Sequence, residues 1–89
     1  MTQERRAVPR LSVDLPAVAA FDGASIACRV KDISAAGASI AIDHSDRLPG
    51  RFRLMLLDDG RLFACRVVWV SRGRAGVAFE GQGEGEREG

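Results

Sequence analysis

Two short stretches carry residue types spaced for chemistry. One is Glu4-Arg5-Arg6-Ala7-Val8-Pro9-Arg10, in which Arg6 and Arg10 are spaced R-x-x-x-R with Arg5 just ahead. The other is Asp32-Ile33-Ser34-Ala35-Ala36-Gly37, a D-x-S-x-x-G pattern. A guanidinium can fork onto guanine O6 and N7 or onto phosphate oxygens, and it can stack over a purine. A carboxylate at Asp32 can accept from guanine N1–H and N2–H₂, an edge that adenine lacks. Ser34 can donate to a phosphate or accept from a base. Residues two apart on a strand point the same way, so Asp32 and Ser34 are expected side by side, with Ile33 turned inward. Gly37 allows either a positive φ or a close backbone approach. Together these groups suit a guanine nucleotide, with a cationic arm closing over a half-formed site.

Other chemistries find little support. Cys28 and Cys65 are 37 positions apart in apolar runs, and His44 is the only histidine, so no zinc set or Cys–His pair forms. Free buried thiols are expected instead of a bridge. Asp58-Asp59 belongs to a turn, with no acid–base partner in view. The chain is therefore not expected to be an enzyme, with no catalytic residues, no metal and no cofactor. The aromatic set is four Phe, one Trp and no Tyr, mostly at core-like positions, which argues against a single-stranded nucleic-acid groove. DNA and RNA are not expected partners. No apolar run approaches the roughly 20 residues of a membrane span, and no secretory signal is visible, so the expected location is the cytoplasm.

The elements that must position these groups are strands. The chain has 89 residues, 46% of them hydrophobic and 28% charged, which suits one small soluble domain. Strands are expected at 12–21, 24–33, 38–42, 51–57, 61–71 and 75–80, separated by turn signals such as Asp22-Gly23 and Asp58-Asp59-Gly60. No helical period outlasts a turn. Six such strands imply a small antiparallel barrel, which removes exposed edges. Residues 1–11 read as a ligand-gripping arm, 12–80 as the barrel and 81–89 as a disordered tail rich in Gly and Glu. Trp69 is expected in the core or at the barrel mouth.

In these residues the sequence resembles the PilZ domain, a bacterial receptor for cyclic di-GMP. The resemblance runs over about residues 4–80. It rests on Arg6-x-x-x-Arg10 and Asp32-x-Ser34-x-x-Gly37, and on Leu48-Pro49-Gly50, Val67-Val68-Trp69-Val70 and Gly76-Val77-Ala78-Phe79. It implies an all-β fold, a six-stranded antiparallel barrel. It also implies that Arg6 and Arg10 grip phosphates and guanines, that Asp32 and Ser34 hold guanine, and that Gly37 shapes the loop. An Arg at the place of Arg5 goes, within the family, with capture of an intercalated ligand pair, so two cyclic di-GMP per protomer are expected. The implied role is a receptor coupling the messenger to an unidentified downstream protein. The alternative is a PilZ-like adaptor acting by protein contact without nucleotide. Many members carry a helix after the barrel, and 81–89 cannot supply one.

Overall fold

The computed structural model describes residues 10–80. Six strands lie within them: β1 (Leu11–Phe21), β2 (Ala24–Ile33), β3 (Gly37–Ile42), β4 (Arg51–Leu56), β5 (Leu62–Ser71) and β6 (Arg74–Phe79). They close into a barrel in the order β1-β2-β3-β6-β5-β4, every pairing antiparallel. Each strand starts and ends within one residue of its expected position. Leu11 belongs to β1 and not to the arm. Arg5, Arg6, the rest of the arm and the 81–89 tail lie outside the described residues. No helix among the described residues is long and apolar enough to cross a membrane.

The turns explain why the strands pair as they do. Asp22 and Gly23 both hold positive φ, 49° and 76°, the geometry of a two-residue hairpin whose twist matches its strands. The loop after β3 contains a short 3₁₀ helix, Ser45–Arg47, which the periodicity did not foretell. The buried Ser45 hydroxyl donates to the Ser71 carbonyl at 2.7 Å and accepts from the Gly73 N–H at 3.2 Å. That pins the 3₁₀ turn to the β5–β6 hairpin. Pro16 sits just before the β1–β4 ladder begins at Ala17, where a missing N–H breaks no β4 pairing.

Alternate residues of all six strands fill the barrel. Val30, Ile40, Leu54 and Cys65 are fully buried, ringed by Ile42, Phe52, Leu56, Phe63 and Val77. Each large aliphatic side chain so buried contributes about 1.5–3 kcal/mol over exposure. Cys28 and Cys65 are buried free thiols. Burial pushes their pKa values up to about 11 and about 12, which makes both inert at neutral pH.

Strict alternation alone would misplace the motif. Cys28 and Val30 point into the core, so Asp32 would follow them inward. The β2–β3 register instead pairs Val30 with Ile40 and then Asp32 with Ser39, leaving Lys31 as an extra residue on β2. This bulge reverses the parity. Ile33 packs on the core and Asp32 turns outward. A second bulge, at Val68 between Val67 and Trp69, does the same on β5. Trp69 is consequently not in the core. It lies on the outer face, 46% exposed, with its indole covering the backbone of Gly76, its cross-strand partner.

Candidate functional site

The outer face of β2 presents the Asp32 carboxylate with both oxygens engaged. Arg10 donates from Nη2 to Oδ1 at 2.5 Å, and Ser39 donates from Oγ to Oδ2 at 2.7 Å. Partial burial pushes the carboxyl up, but the Ser39 hydroxyl and the Arg10 guanidinium outweigh it and hold it below the usual carboxylate range. Asp32 is therefore ionised at neutral pH. Arg74 Nη2 donates to Ser39 Oγ at 3.4 Å, a long and weak bond. The chain Arg10–Asp32–Ser39–Arg74 thus runs from the start of β1 across β2 and β3 to β6.

Ser34 has a different local role. Its N–H donates to the Gly37 carbonyl at 2.8 Å, and its hydroxyl accepts from the Ala36 N–H at 3.1 Å. The hydroxyl bonded to Asp32 is that of Ser39, not Ser34. Ser34 instead helps to line an apolar groove of about 510 Å³ at the barrel mouth, with Leu11, Ile33, Phe63 and Phe79. The rings of Phe63 and Phe79 stack there with centroids 4.4 Å apart.

Gly37 is required by close approach. A Cβ at this position would run into the Val77 carbonyl oxygen of β6, and no left-handed φ is involved. The same turn is tied to β6 by the Phe79 N–H, which donates to the Ala36 carbonyl at 2.8 Å. The motif turn therefore rests directly on the last strand.

Of the residues expected in the site, the structure brings Arg10 and Asp32 into contact and places Ser34 and Gly37 in the adjoining turn. Arg5 and Arg6 fall outside the described residues. Ser39 and Arg74 were missed by the sequence reading. Ser39 could have been found by counting back across the 34–37 turn, since it faces Asp32 in the hairpin. Arg74 depends on the β3–β6 pairing, which no local pattern announces. A larger concavity of about 650 Å³ lies beside the β1–β2 turn, near Arg51 and Arg53, and holds none of the motif residues. Chemistry, not size, makes the motif face the candidate.

No curated protein matches the sequence closely. The PilZ domain family does match it, over residues 4–88. A match covering essentially the whole chain, on a closed barrel with the D-x-S-x-x-G turn packed against its last strand, shows that the chain belongs to the PilZ domain family.

Proposed function

We propose that this chain is a cyclic di-GMP receptor that passes ligand binding to a downstream protein. PilZ is a family of binding domains and not of catalysts, and the chemistry of the face agrees with that role. The observation that carries the reading is the ionised, outward-held Asp32 in contact with Arg10. These two groups offer complementary halves of a guanine nucleotide site. A guanine N1–H and N2–H₂ edge can replace Arg10 on Asp32. The freed guanidinium then takes a phosphate or the O6/N7 edge of a base.

Magnitudes favour that exchange. Arg10 is about half exposed, at 55%, and an exposed ion pair is worth about 0–1 kcal/mol. Each new charge-assisted contact contributes about 1.5–3 kcal/mol. Arg5 and Arg6 add cations to the same arm in sequence, which supports capture of a ligand pair carrying four phosphate charges. Movement of the arm from Asp32 to ligand is the change a partner would read.

Calorimetric titration of the full chain with cyclic di-GMP tests the reading. Saturable binding near two ligands per chain is expected, with Arg10→Ala weaker by about ten- to a hundredfold. Absence of both heat and a rise in melting temperature would overturn it in favour of the adaptor role.

A further inference from the structure

Past Asp32 the outer surface continues as one cross-strand row. The register aligns Asp32 of β2 with Ser39 of β3, Ser39 with Gly76 of β6, and Gly76 with Trp69 of β5. Strands lie about 4.8 Å apart, so this row spans roughly 14 Å. Its neighbours on the same face of β3 and β6 are Gly37, Ala41 and Ala78, all small, and Arg74. Arg74 is the one long side chain on this face of β3 and β6; Ser39 is buried and the Trp69 indole lies over Gly76, so the row has a carboxylate at one end and an indole at the other.

Arg74 stands two residues before Gly76 on β6 and so shares that face. Arg29, Arg51, Arg61 and Arg66 each have a carboxylate partner within 4 Å. Arg74 has none among the described residues. Its one side-chain bond among the described residues is the 3.4 Å contact to Ser39. Arg47, Arg53 and Arg72 also have no such carboxylate among the described residues, but none of them touches the Asp32–Ser39 pair. A strand-borne cation beside the proposed base-reading carboxylate is already positioned, and releasing so long a bond costs little.

We infer that Arg74 is a fixed ligand-gripping residue, binding a phosphate of a cyclic dinucleotide laid across β3 and β6 while Asp32 holds a base. This rests on the receptor reading above and extends its site to the last strand, outside both sequence motifs. Arg10 comes to the ligand from the end of the arm, whereas Arg74 meets it from the barrel wall. Trp69, the only tryptophan, closes the far end of the row and reports on its occupancy.

The test is calorimetry of the full chain with cyclic di-GMP at several salt concentrations, with Trp69 emission followed in parallel. Arg74→Ala should bind about tenfold or more weaker than wild type, with a shallower salt dependence. Arg74→Gln, which keeps much of the apolar stem, should lose as much. Arg72→Ala removes the same charge two residues away and should stay within about twofold of wild type, since an exposed charge off the row is largely screened. Wild-type Trp69 emission should change in step with the heat. Unaltered affinity in Arg74→Ala, an equal loss in Arg72→Ala, or saturation without a change in Trp69 emission would each overturn the inference while leaving the receptor reading in place. Failure of the wild type to bind at all would overturn both.

Discussion

Two carboxylates on the outer face of the β1–β2 pair invite comparison. Asp14 accepts from Arg29 at 2.6 Å and from Lys31 at 3.3 Å, and these cations hold its carboxyl below the usual range. Asp32 is also held low and also meets an arginine. Asp14, however, has both partners on β2, so its charge is balanced by the strand beside it. Asp32 has one partner on a strand, the Ser39 hydroxyl, and one at the chain's entry to the barrel, Arg10. A carboxylate tied wholly to neighbouring strands is structural surface. One whose counter-charge sits at the root of an arm can exchange that charge for a ligand.

The largest effect should come from breaking the frame on one side of this comparison. Gly37→Ala drives a methyl group into the Val77 carbonyl, so β3 and β6 must separate at the motif turn. A loss of about 1–3 kcal/mol or more is expected, lowering the melting temperature by roughly 10 °C. Thermal unfolding followed by circular dichroism measures it, and an unshifted transition would mean that the turn relaxes without strain. Next in size is the contrast between the carboxylates themselves. Asp32→Ala should weaken cyclic di-GMP binding by about ten- to a hundredfold and blur the choice of it over cyclic di-AMP, while Asp14→Ala stays within about twofold. Equal losses in competition titrations would dissolve the distinction drawn above. If Asp32→Ala loses affinity but keeps full discrimination, the carboxylate holds the turn and does not read the base.

The smallest effect separates the two by pH and salt. Both folded carboxyls titrate below their unfolded values. Their stabilisation is thus present above the ordinary carboxylate pKa of about 4 and is lost as pH falls through the lowered folded values. Asp14→Asn and Asp32→Asn should each flatten the decline in stability on acidification below about pH 4. Added salt should erase the Asp14 contribution first, because the Asp14 side chain is about twice as exposed as that of Asp32, 57% against 28%. Denaturant midpoints at several pH values and two salt concentrations provide the reading.

What could be read from the sequence followed from local signals. Asp22-Gly23, Asp58-Asp59-Gly60 and Arg72-Gly73 punctuate runs of strand formers, so the six strands and their hairpins were legible with nearly correct ends. The contact of Arg10 with Asp32 joins residues 22 apart in sequence, and the two were put in one site only by the pairing of motifs. Gly37 was legible as necessary but not why. The choice between a positive φ and close approach depends on β6, some forty residues on. Trp69 was misplaced because a bulge at Val68 changes the face of the residues after it, and no side-chain pattern marks that bulge. Arg74 stayed hidden for a related reason, since its neighbours come from the β3–β6 crossover.

Lys31 shows what kind of sequence change this site can absorb. As the unpaired residue of the β2 bulge, it contributes one unit of length and an exposed ammonium beside Asp14. Removing Lys31 would close the bulge and leave plain alternation, with Val30 inward, Asp32 outward and Ile33 inward as they are now. In descendants of this chain, point substitutions at position 31 would be near neutral, and even a three-base deletion there would leave the motif facing as it does, losing only the bulge and the cation beside Asp14.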